Sequence, residues 1–130
     1  MQTFLPYADF KKSAECLDYK RLGKQRVECF QLLKAIQHGT GWSKHPAAKM
    51  WTGYEDALRA YMAECIKEWI SRGYKNTMLI PIVAEYALPP WVGDEAFHAS
   101  HRSNLLRKDS EYYSKFNWSE PSDLPYIWPL

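Results

Sequence analysis

Leu58, Tyr61, Cys65 and Trp69 recur at steps of three, four and four residues, with Glu55, Arg59 and Glu68 falling outside that row. This is the spacing of one face of an α-helix, and it constrains the chain strongly, because a helix with an apolar stripe must be covered by other elements. The helix is expected over 54–71, with Gly73 ending it. A second is expected from near Ser13 to the HGTG stretch, where Gly39 suits the left-handed position after a helix. Leu22, Cys29, Leu33 and Ile36 form its stripe. A third runs from a capping Asp94 through Lys108. A loop holding Trp42 and KHP leads to Pro46, placed like a first-turn proline of a short helix through Trp51. Another short helix is expected over Pro81–Ala87, although the β-branched residues of TMLIPIVAEYALPP also suit a strand. The Pro-rich, aromatic tail is expected to be irregular. There are no repeats or linkers, so the expectation is a compact all-α domain over residues 1–130, with three main helices, short helices and that tail.

At 130 residues and 46% hydrophobic content the chain can bury a core without covalent staples. Its three cysteines, Cys16, Cys29 and Cys65, are odd in number and widely spaced, which argues for a reducing compartment rather than a disulfide framework. Residues 1–10 lack a signal-peptide core and no apolar run reaches the length of a membrane span. The expectation is a soluble, cytoplasmic monomer with no membrane association.

Net charge is only +2, but it is unevenly spread. Residues 1–54 carry nine Lys/Arg against four Asp/Glu, and residues 55–130 carry eight against eleven. One basic face toward an anionic partner fits this asymmetry, and so does ordinary scatter of charge. The stretch RLGKQRVECFQLLKAI concentrates the question. Arg21, Lys24 and Glu28 share one side of the expected helix, flanking its apolar stripe, and Lys20 precedes them. A solvated face with a Lys24–Glu28 pair explains this, as does a basic surface with one carboxylate set into it. Arg26 points toward the apolar stripe, so either its stem snorkels or a partner holds it.

LDYKRLGKQRVECFQLLKAI, then GWSKHPAAKMW, then EWISRGYK, together resemble the pyrimidine dimer DNA glycosylase family, the endonuclease V type of repair enzyme. The resemblance runs from Met1 to about Lys75 and continues more weakly through HASHRSNLLRKDSEYY. It implies an all-α DNA glycosylase with abasic-site lyase activity, acting on duplex DNA with damaged pyrimidines and needing no cofactor. It further implies that the amino group of the first residue attacks the sugar and forms an imine, while the first-helix acid, Glu28 here, handles charge and proton transfer. Lys20, Arg21, Lys24 and Arg26 would then grip phosphates, with Arg102 and Lys108 of SHRSNLLRK as further contacts. Three departures from the family's pattern stand out. The start is Met1-Gln2-Thr3, without a small second residue, so Met1 is expected to be retained as the nucleophile. LPYADFKK must fold back to bring that terminus to Glu28. Val27 stands before the acid, where the family usually carries Arg.

The chemistry has a general basis. An imine needs an unprotonated amine, and α-amino groups titrate at about 7.7–8.0 against about 10.4 for lysine, so they are the readier nucleophiles near neutral pH. A neighbouring carboxylate stabilises cationic character at the sugar and moves the proton for strand cleavage. Other candidates are secondary. His98 and His101, spaced i,i+3, could share a metal with Asp94 or Glu95, but no second cluster has matching spacing. A capping Asp94, a core or DNA-facing His101 and no metal are expected. His45 before Pro46 suits a loop-shaping role or a site role. Trp42 and Trp51 suit the core, with Trp42 also a base-stacking candidate beside the basic loop. Two other readings stay open: a DNA-binding module without chemistry, and a glycosylase of this fold for another modified pyrimidine.

Overall fold

A computed structural model describes residues 1–39 and 41–129. Thr40, inside the expected helix-ending HGTG, and Leu130, the last tail residue, lie outside the described residues. Among the described residues six helices follow in order: α1 Phe10–Cys16, α2 Tyr19–His38, α3 Pro46–Trp51, α4 Glu55–Ser71, α5 Glu95–Lys108 and α6 Ser110–Tyr113. Single 3-10 turns lie at Gly41–Lys44 and Ser114–Phe116. The fold is all-α, with no β-strand among the described residues.

Helix α4 is the central element, as its stripe requires. Leu58, Tyr61, Cys65 and Trp69 are buried, and so are Ala57, Met62 and Ile66, because α1 and α2 cover different flanks of it. Helix α2 buries Leu22, Gln25, Cys29, Leu32 and Ala35, while Leu33 and Ile36 are only half-buried. The buried row is therefore rotated slightly from the one expected, and it contains a polar residue. Gly23 lets the two helices approach: a Cβ there would meet the Trp69 ring at 3.1 Å. Gly39 closes α2 in the left-handed conformation at φ 65°.

The helix expected from Ser13 to Gly39 is two helices. Leu17 and Asp18 are extended, with ψ of 141° and 166°. The cause lies far away in sequence. The Tyr113 hydroxyl accepts from Asp18 N–H at 3.0 Å and donates to the Asp18 carboxylate, so this peptide group is taken by a tertiary partner. Other local signals hold. Asp94 caps α5 and Pro46 opens α3, where His45 adds a side-chain cap that sequence reasoning did not assign.

The short helix expected over Pro81–Ala87 does not form; the segment is irregular, with a bend at Ala84. Tyr86 stacks on Phe10 and draws the chain across α1, a contact that helical spacing does not encode. The chain after Lys108 is less irregular than expected, since it first makes α6 and a 3-10 turn. Beyond these, the tail is held on α5 by short polar side chains. Ser103 donates to Pro121 O and accepts from Leu124 N–H, Asn104 donates to Leu124 O, and Ser100 accepts from Ile127 N–H. No helix is long and apolar enough to cross a membrane. All three cysteines are free and buried, and burial pushes the Cys16 thiol up to about 12.

Candidate active site

Residues 2–5 run extended through the core, each at most 7% exposed. A buried chain without a neighbouring strand must still pair its peptide groups. Side chains from three helices do this. Gln25 on α2 acts as a strand would: its Nε2 donates to Gln2 O at 2.8 Å and its Oε1 accepts from Phe4 N–H at 2.6 Å. The Tyr61 hydroxyl on α4 donates to Phe4 O. On α5, His101 Nδ1 accepts from Leu5 N–H at 2.9 Å, and His98 Nδ1 donates to Leu5 O at 2.7 Å. His98 Nε2 accepts from Gly93 N–H at 2.9 Å, which fixes that tautomer. Arg102 donates to Pro6 O at 2.7 Å, and Trp51 Nε1 donates to Thr3 Oγ1 at 3.0 Å. The arm cannot slide by a residue without breaking most of these bonds.

Register is the consequence. Gln2 N–H donates to Glu28 Oε2 at 3.2 Å, three residues along α2 from Gln25. Met1 thereby projects into a cleft of about 460 Å³ lined by Met1, Gln2, Phe4, Lys20, Arg21, Lys24, Glu28, His45, Lys108, Tyr126 and Trp128. The first residue, the α2 acid and four cations thus share one space. Glu28 bonds the arm rather than Lys24, so the expected i,i+4 pair is not what holds it. Lys20, Lys24 and Lys108 are exposed, whereas Arg21 is half-buried and paired with Asp18 at 3.2 Å.

His45 enters the cleft as the cap of α3, its Nδ1 accepting from Ala47 N–H at 3.0 Å. Its ring stands edge-on to Trp42 and Trp128, with centroids at 5.5 and 5.8 Å. Burial, and then the positive amino terminus, lower its pKa below the ordinary histidine value. The imidazole is therefore neutral at neutral pH.

Several expected site residues lie elsewhere. Arg26 is held by a partner: its guanidinium sits 4.2 Å over Trp69 and donates to Asn76 Oδ1 at 3.2 Å. It does not line the cleft. Arg102 is 7% exposed, and its guanidinium serves Glu95, Glu120 and Pro6 O, so its charge is neutralised inside the fold instead of meeting phosphate. His101 is a core residue; burial and then His98 push it down to about 3. The i,i+3 histidine pair holds the Leu5 backbone, and among the described residues no three His, Cys, Asp or Glu side chains cluster as metal ligands. Trp51 is fully buried, but Trp42 is 50% exposed, because it sits on a surface 3-10 turn.

Gln2, Phe4, Tyr126 and Trp128 are cleft residues that sequence reasoning did not reach. Tyr126 and Trp128 carry no local signal, since only tail docking brings them there. Gln25 did carry one, as an amide set between Leu22 and Cys29 on the buried face.

A sequence profile for pyrimidine dimer DNA glycosylase matches residues 1–81. The chain belongs to that family. Among curated proteins and solved structures, no match was found. Membership makes the protein a DNA repair glycosylase with DNA as its substrate. The match takes in the arm, α1 through α4, and Met1, Lys20, Arg21, Lys24, Glu28 and His45 of the cleft. Lys108, Tyr126 and Trp128 come from beyond it, so this glycosylase completes its cleft with chain that the family profile does not cover.

Proposed function

We propose that the protein is a glycosylase and abasic-site lyase for damaged pyrimidines, pyrimidine dimers in the first place, and that the Met1 amine is its nucleophile. The observation that carries this reading is the Gln2 N–H to Glu28 bond, which sets the Glu28 carboxylate one residue from the amine. The free amine attacks C1′ of the damaged nucleotide. The glycosidic C1′–N1 bond breaks, its electron pair leaves with the base, and the amine proton passes to the Glu28 carboxylate. That proton passes from Glu28 to O4′ as the sugar ring opens, which gives the imine and restores the carboxylate. Loss of a C2′ proton to Glu28 then expels the 3′ phosphate and cuts the strand. Lys20, Lys24 and Lys108 hold flanking phosphates around this exchange.

Borohydride trapping on a duplex with a single abasic site tests the reading. A stable adduct is expected, mapping to the Met1 peptide, and lost when the amine is acetylated or the chain is extended by an uncleaved tag. Glu28→Gln should fold and bind DNA normally yet cut at least about a hundredfold more slowly. An adduct on Lys24 that survives tagging would keep the imine but dismiss Met1. Intact duplex binding with no adduct at all would favour a binding module. Salt dependence tests the surface separately. Neutralising Lys20, Lys24 or Lys108 should each flatten the slope of log K against log salt by about one, and Arg102→Gln should leave it unchanged in any variant that folds.

A further inference from the structure

His45 is a cleft residue whose two ring nitrogens have unequal freedom. Nδ1 is occupied as the α3 cap, accepting from Ala47 N–H at 3.0 Å. A neutral imidazole carries one proton, so occupation of Nδ1 as an acceptor puts that proton on Nε2. The edge-on contacts with Trp42 and Trp128 restrict the ring, and the cap bond sets which edge faces away from α3. His45 lines the space shared by Met1 and Glu28, and Nε2–H is the ring edge that the cap leaves unused. A donor of this kind, already oriented before reaction, is most useful where negative charge develops.

That charge develops on the departing base. When C1′–N1 breaks, the electron pair goes to N1 and spreads to the pyrimidine O2. Glu28 is an acceptor and the lysines are flexible point charges, so neither supplies a fixed neutral donor. We propose that His45 is a further catalytic residue, whose Nε2–H donates to O2 of the leaving pyrimidine while the Met1 amine attacks the sugar. The imidazole keeps its proton throughout. The base parts from C1′ as a hydrogen-bonded anion and takes a proton from water; in a dimer it stays joined to its neighbour through the cyclobutane ring. This inference rests on the imine reading of the cleft and adds to it the group that serves the leaving base.

The two ring nitrogens can be replaced one at a time. His45→Asn keeps a short acceptor suited to a helix cap and removes the Nε2–H. His45→Gln puts an amide donor near the Nε2 position and gives up the short cap. Two duplexes separate the steps: one with a thymine dimer or another damaged pyrimidine that the wild type excises, and one with a ready-made abasic site, which has no base to expel. His45→Asn is expected to keep the wild-type unfolding midpoint and the wild-type trapping rate on the abasic duplex. Its glycosidic-bond cleavage should slow by about a hundredfold to a thousandfold. His45→Gln should recover part of that loss while its unfolding midpoint falls. Equal slowing on both duplexes would make His45 a scaffold residue and overturn the inference, as would undiminished glycosidic cleavage by His45→Asn. A wild type that traps the abasic site but breaks no glycosidic bond in any damaged duplex overturns the role of His45 and leaves the imine intact. A wild type that traps nothing overturns both.

Discussion

Two stretches of this protein belong to no helix, yet they are treated in opposite ways. Residues 2–5 pass through the core, and side chains of Gln25, Tyr61, His98 and His101 hold their peptide groups. Residues 79–88 lie on the surface, with Leu79 90% exposed and Ile82 97% exposed. By composition the second stretch is the more apolar, and a burial scale alone would put it inside. The difference teaches that an extended segment is ordered by what reads its backbone. Where a chain end must meet a carboxylate on a particular turn of a helix, hydrophobic burial is too unspecific a force. Directed hydrogen bonds set the register.

The contrast breaks most readily at Gln25. Gln25→Leu keeps the volume but strands Gln2 O and Phe4 N–H in the core, at about 1–3 kcal/mol for each unpaired group. Urea unfolding should show a loss of about 2–5 kcal/mol with little change in slope. In the protein that remains folded, adduct formation should slow by more than tenfold while duplex affinity holds. If stability falls but the adduct rate per folded molecule does not, the clamp is structural and does not aim the amine.

Acid should loosen the same arm from its other end. His101 titrates near 3 in the fold, against about 6.5 when unfolded, and the Phe4, Phe97 and Tyr126 rings and His98 surround it. Below about pH 6.5 the unfolded chain binds a proton that the folded chain refuses, so stability declines as pH falls. From pH 7 to pH 5 the loss should be about 2 kcal/mol from this residue, at ~1.4 kcal/mol per unit. His101→Asn, which retains a short acceptor for Leu5 N–H, should remove most of that slope. An identical pH profile in the variant would show that other groups govern the acid limb.

The surface stretch supplies the smallest effect. Leu79→Ser and Ile82→Ser should each change stability by less than about 0.5 kcal/mol, since little of either side chain is withdrawn from water. Amide hydrogens over 79–88 should exchange fast while those of Phe4 and Leu5 are protected to near the global limit. A large destabilisation by either substitution would erase the contrast.

What the sequence alone determined is local in origin. The α4 stripe, the Asp94 and Pro46 helix starts and the Gly39 stop depend on residues within a turn or two, so α3, α4, α5 and the end of α2 were legible. The stretch quoted for the family resemblance also contains Glu28, Lys20, Arg21 and Lys24 of the cleft. The tertiary structure decided the rest. It split the first long helix through Tyr113, turned Arg26 and Arg102 inward, and spent the histidine pair on a backbone rather than on a metal. It also set the Met1 register through partners 21 to 96 residues away. Periodicity and capping are written in neighbouring residues because a helix closes its own hydrogen bonds. An extended arm closes none of its own, so its position is decided by whichever distant side chains come to meet it.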